Sequence, residues 1–84
     1  MYEVQWEKKA FKQLLAISHD QRKTITYAAA GLKNWPDCPG VERHTSHKNQ
    51  YELRLGRTHV LFNVDSAVRI ISIEKVKKRD EHTY

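Results

Sequence analysis

The sequence predicts an α+β fold: two N-terminal helices packed on one face of an antiparallel sheet of about four strands. Three observations carry this. Apolar residues recur every second position at the start of the chain, every third or fourth position between Glu7 and Asn34, and every second position again from Tyr51. The helical stretch precedes the run of strands instead of alternating with it, the order of a layered α+β domain. The 84 residues suffice for one domain, spanning 1–84.

Tyr2, Val4 and Trp6 are spaced by two and suit a pleated, half-buried first strand. From Glu7 the stripe Ala10, Phe11, Leu14, Leu15, Ser18 marks an amphipathic helix, with Lys8, Lys9, Lys12 and Gln13 outward. Ser18 or Asp20 can cap a second helix, roughly 21–34, with Ile25, Ala28, Ala29 and Leu32 on its apolar face. Trp35-Pro36 ends it, because a residue before proline resists the α region. The polar stretch Val41 to Gln50 has no strong period and reads as an edge strand or irregular chain. Then come YELRL and THVLFNV, separated by Gly56-Arg57, and VRIISIEKV after the turn Asp65-Ser66-Ala67. Alternation puts Tyr51, Leu53 and Leu55 on one side and Glu52 and Arg54 on the other. Thr58, Val60, Phe62 and Val64 likewise oppose Arg57, His59 and Leu61. With the Leu/Val/Phe side as core, Arg54 and His59 share the open face.

Composition narrows the function classes. Fifteen Lys+Arg against 10 Asp+Glu give a net charge of +5, which favours polyanions or an acidic protein partner. The single cysteine, Cys38, excludes an internal disulfide and fits a reducing compartment. It lies in a Pro/Gly loop without a neighbouring base and reads as incidental. No apolar run reaches the ~18 residues of a membrane span, and MYEVQWEKKA lacks a signal peptide's apolar centre. A cytoplasmic protein without membrane contact is expected. His44 and His47 are three apart without a cysteine beside them, and His19, His59 and His82 are scattered, so no metal site is expected. No glycine-rich phosphate loop is present. The basic set Arg54, Arg57, His59, Lys75, Lys77, Lys78 and Arg79 is the better signal, because consecutive strands of a meander are usually neighbours. Gathered on one face, such residues hold phosphates, and guanidinium forks meet two oxygens at once. An ordinary solvated sheet face is the competing reading.

The hairpin from Tyr51 to Val64, then Ile71-Ser-Ile73, then the basic tail Lys77-Lys-Arg-Asp-Glu-His-Thr-Tyr84, resembles the RelE/ParE superfamily of bacterial toxins from type II toxin–antitoxin pairs. The resemblance spans nearly the whole chain and is best from Tyr51 on. It implies a ribosome-dependent endoribonuclease that cuts mRNA without a metal or small-molecule cofactor and is silenced by a cognate antitoxin. The ribose 2′-OH attacks the adjacent phosphate and the 5′-oxygen leaves. By position, Arg54 is expected to hold the phosphate and His59, where RelE has an arginine, to act as acid or base. Arg79, beside Lys77 and Lys78, is expected to stabilise the transition state, and Tyr84 to stack on a base or exchange a proton. Arg57, Lys75, Lys77 and Lys78 are expected to contact RNA. Two departures stand out: Glu52 occupies a position where RelE has a lysine, and the sequence ends at Tyr84 without the C-terminal helix some relatives carry. The alternatives are a ParE-like gyrase poison without nuclease activity and an inactive RNA-binding relative.

Overall fold

A computed structural model describes residues 1–43 and 50–78. Strand β1 (Glu3–Trp6) leads into helices α1 (Lys8–Leu15) and α2 (His19–Ala30), a 3-10 turn (Gly31–Asn34), and strands β2 (Val41–Arg43), β3 (Tyr51–Leu55), β4 (Thr58–Asp65) and β5 (Ile70–Lys78). The α+β class and the two-helix layer are as expected, and the sheet has five strands, in the order β1-β5-β4-β3-β2. It is not wholly antiparallel: β1 runs parallel to β5, Glu3 opposite Ile70 through Trp6 opposite Ile73. The helix pair is what permits this, since parallel neighbours need a long crossover. Of the stretch from Val41 to Gln50, Val41–Arg43 forms the edge strand β2, and residues 44–49 lie outside the described residues.

One face of the sheet carries the core. Ala10 and Leu14 of α1, Ile25 and Ala29 of α2, and Leu32 pack on Leu53, Val60, Phe62, Ile71, Ile73 and Val76. Their burial is the main source of stability in a chain this short. Trp35 meets Tyr51 and Phe62 edge-on at 4.7 and 5.7 Å between ring centres, tying the loop after the helices to the sheet. Gly56, at φ +62°, takes the left-handed backbone that closes the two-residue β3–β4 turn.

Several local expectations change. The apolar stripe of α1 is narrower than its sequence spacing implies: Ala10 and Leu14 face the sheet, while Phe11 and Leu15 remain half exposed. Gln13 is not outward; its Oε1 accepts the Val76 N–H at 2.8 Å where β5 runs on past the end of β1. Arg22 turns its Nη2 back to the carbonyls of Leu15 and Ile17, at 3.1 and 3.0 Å, satisfying the end of α1. Ser18 occupies the N-cap of α2 without a side-chain capping bond. The second helix breaks at Gly31 into the 3-10 turn.

Strand β5 carries one irregularity that decides its faces. Phe62 pairs with Ile73 but Leu61 pairs with Lys75, so Glu74 is an extra residue, a β-bulge. A strict period of two through Ile71 and Ile73 would send Lys75 and Lys77 under the helices. The bulge resets the phase, buries Val76, and turns both lysines to the open face.

Candidate nucleic-acid interface

Arg54 and His59 are register partners across the β3–β4 hairpin, so they lie side by side on one face. His59 is in turn opposite Lys77, and these three form a row across β3, β4 and β5. The adjacent row runs Glu42, Glu52, Leu61, Lys75 across β2 to β5. Both rows face away from the helices. The face is not uniformly wet: the Glu52 side chain is 9% exposed and that of His59 21%, and Leu61 is 4% exposed although it lies outside the main core.

Arg54 and the two glutamates on this face are already engaged. Arg54 Nη1 meets Glu42 Oε2 at 2.7 Å, and Arg54 Nε donates to Glu52 Oε1 at 2.9 Å. The other oxygen of Glu52 lies 3.4 Å from His59 Nδ1. The hydrogen bond to Glu52 raises the Arg54 pKa above its ordinary value; desolvation opposes it, and the charges of Glu42 and Glu52 add to it. The guanidinium is therefore a permanent cation with two carboxylate neighbours. Lys75 and Lys77 bring two further cations to the same face.

The other candidates are placed differently. Lys78 pairs with Thr58 and lies on the helix side of the sheet. It lines a cavity of about 410 Å³ with Asp20, Thr24, Leu55, Thr58 and Arg57, the last of these from the hairpin turn. The basic run at the end of β5 thus splits between the two faces, because neighbouring residues of a strand point opposite ways. Arg79, Tyr84, His44, His47 and His82 lie outside the described residues. A second cavity, about 420 Å³, opens between the end of α2 and β3 and includes Cys38. Burial, followed by the charge of Asp37, pushes the Cys38 thiol pKa up, away from a reactive thiolate. No helix among the described residues is long and apolar enough to cross a membrane.

Sequence reasoning missed the two carboxylates. Glu52 is two residues from Arg54 on the same strand, so its position on the shared face was readable. Its role as a bridge to His59 was not. Glu42 sits in a polar stretch with no period, and only the β2–β3 pairing brings it to Arg54.

Two helices packed on a five-stranded, mostly antiparallel sheet match the fold of solved RelE structures. The chain superposes on isolated RelE of E. coli with a TM-score of 0.80 at 12% identity, covering 96% of this chain and 87% of that one. A chain of the RelBE2 toxin–antitoxin complex of Mycobacterium tuberculosis gives 0.79 at 16% identity, covering 93% and 98%. One from the archaeal RelE–RelB complex of Pyrococcus horikoshii gives 0.78 at 23% identity, covering 95% and 97%. No protein-family model and no curated protein sequence matches the chain. The fold is the RelE fold, reached by a sequence far from these relatives.

Proposed function

We propose that this protein is a RelE-like toxin: an endoribonuclease that cuts mRNA on translating ribosomes in the cytoplasm and is held silent by a cognate antitoxin. The observation that carries this reading is the row Arg54, His59, Lys77 on the open face of a RelE-type sheet. Several of the solved relatives are complexes of a RelE toxin with a RelB antitoxin. The net charge of +5 suits an acidic partner as well as RNA.

The chemistry asks for three things: a group to take the 2′-OH proton, positive charge on the phosphate, and a proton for the leaving 5′-oxygen. His59 can exchange a proton, and Arg54 with Lys77 can hold the phosphate. Arg79 and Tyr84 are proposed as the transition-state cation and the stacking or proton-exchanging group. Lys75 contacts the RNA backbone beside them, and Arg57 and Lys78 contact RNA at the end of the hairpin. The products are a cyclic phosphate and a free 5′-hydroxyl.

One observation favours a second reading. Arg54 already has two carboxylates against it, which weakens its hold on a phosphate and suits a ParE-like gyrase poison or an inactive relative. Induced expression followed by mapping of RNA 5′ ends separates these. Cuts inside codons only where ribosomes translate support the nuclease, with toxicity relieved by His59→Ala and Tyr84→Ala in folded protein. DNA breaks with intact mRNA support gyrase poisoning, and normal growth supports the inactive relative.

A further inference from the structure

We infer that Glu52 is the positioning residue for His59: its carboxylate holds the Nδ1–H, so that the imidazole presents Nε2 as the base for the ribose 2′-OH. This rests on the nuclease reading above and assigns its base.

Glu52 is a carboxylate more than nine-tenths buried on the face away from the core. Burying such a group is costly unless its oxygens are matched by donors. Here the two oxygens turn to different partners, one to Arg54 Nε at 2.9 Å and one to His59 Nδ1 at 3.4 Å. Arg54 acts as the brace. It anchors one oxygen and is itself held from the far side by Glu42 at 2.7 Å. The other oxygen is thereby aimed at the imidazole. The 3.4 Å separation is that of an ion-pair contact, beyond the roughly 2.7–3.2 Å of an N–H···O hydrogen bond. The inferred bond requires the two groups to draw together by a few tenths of an ångström, which the attraction of an imidazolium for a carboxylate favours. Leu61, nearly buried, is the cross-strand partner of Glu52 and limits water on that side.

Two rival roles fit less well. As the base itself, Glu52 would have to reach substrate from 9% exposure with its oxygens turned to Arg54 and His59, whereas the His59 side chain is 21% exposed. As a plain structural ion pair, Glu52 needs only a cation, and an imidazole at 3.4 Å from one of its oxygens adds little to that role. Among the described residues, the charged groups on the same face as His59 are Glu52 and Arg54 on β3, Lys75 and Lys77 on β5, and Glu42 behind Arg54. Of these only the two carboxylates accept hydrogen bonds, and Glu42 is taken up by Arg54.

In the reaction the 2′-OH proton passes to Nε2 while the 2′-oxygen forms its bond to phosphorus. The bond from phosphorus to the 5′-oxygen breaks, and that oxygen takes a proton from the second donor of the proposed mechanism, Tyr84. The Glu52 carboxylate stabilises the imidazolium, which later returns its proton to solvent, while the Tyr84 phenolate takes one back.

The test is the imidazole tautomer, read by nitrogen-15 NMR on the whole purified chain at mildly alkaline pH. His59 is assigned by comparison with His59→Gln. The expected result is a dominant Nδ1–H tautomer at His59, the reverse of free histidine, shifting toward Nε2–H in Glu52→Gln. Ribosome-dependent cleavage should slow in Glu52→Gln by a part of the ~10²–10⁴-fold that a positioned base supplies, with partial rescue by Glu52→Asp. A dominant Nε2–H tautomer in the unaltered protein overturns the inference, as does a folded Glu52→Gln variant with an unchanged tautomer. The unaltered protein alone decides if the variant does not fold. Because the tautomer is read without RNA, a protein that shows Nδ1–H yet cuts no mRNA removes the proposed nuclease and leaves the Glu52–His59 pairing standing.

Discussion

Glu42→Gln isolates the balance of charge on the open face. The side chain is half exposed, at 53%, and makes a 2.7 Å ion pair with Arg54 Nη1. Replacing it with the uncharged isostere removes that partner and leaves the Glu52 contact to Nε in place. The terminal nitrogens of Arg54 then become available for one additional phosphate. Each phosphate contacted on a single strand steepens the fall of log K with log salt by about 0.7. Tighter binding of a short single-stranded RNA is therefore expected at low salt. The advantage over the unaltered protein should shrink by about fivefold for each tenfold rise in salt. Fluorescence anisotropy across a salt series reads both quantities. In an Arg54→Ala background the same change should lose that added slope, since the gain runs through the guanidinium. Unchanged slope in Glu42→Gln, or an equal gain without Arg54, would refute the claim that the ion pair restrains Arg54.

Two further outcomes concern stability. Gln13→Ala strips the acceptor from the Val76 N–H beyond the end of β1 and should cost about 1 kcal/mol, read by chemical denaturation; an unchanged midpoint would mean that water replaces the bond. Glu74→Gln should stabilise the fold at neutral pH and have little effect near pH 4. Burial, and then the charge of Glu7, raise the Glu74 carboxyl above its ordinary 4.5. The proton is thus held more tightly folded than unfolded, and the stability this brings is present below the unfolded pKa and lost as pH rises through the folded one. Denaturation midpoints for both proteins at pH 4 and pH 7 check the sign, and equal differences at the two pH values would contradict it.

Much of the fold was legible because periodicity is a local property. The alternation in YELRL and THVLFNV assigned the core side of β3 and β4, and the structure buries Leu53, Val60 and Phe62 accordingly. The same reasoning put Arg54 and His59 on one face, where the register pairs them. Less was legible where direction or pairing depends on distant chain. Nothing within Tyr2 to Trp6 says that this strand will lie parallel to β5, some 67 residues later in sequence. Phe11 and Leu15 have the spacing of core residues, yet of the apolar residues of α1 only Ala10 and Leu14 are buried. Gln13 looks like a solvated residue until β5 outruns its neighbour and needs an acceptor.

The sequence by itself determined which residues could form each element and which side of each hairpin strand is greasy, since alternation and helical spacing are written residue by residue. Only the tertiary structure decided who faces whom. The Glu74 bulge turned Lys75 and Lys77 out and Val76 in, and the β2–β3 pairing brought Glu42 to Arg54. Glu52, which in sequence merely subtracts a positive charge, became in three dimensions the link between a guanidinium and an imidazole. The physical reason is that register and bulges arise from the combined packing of all five strands and the helical layer, a property no single stretch carries.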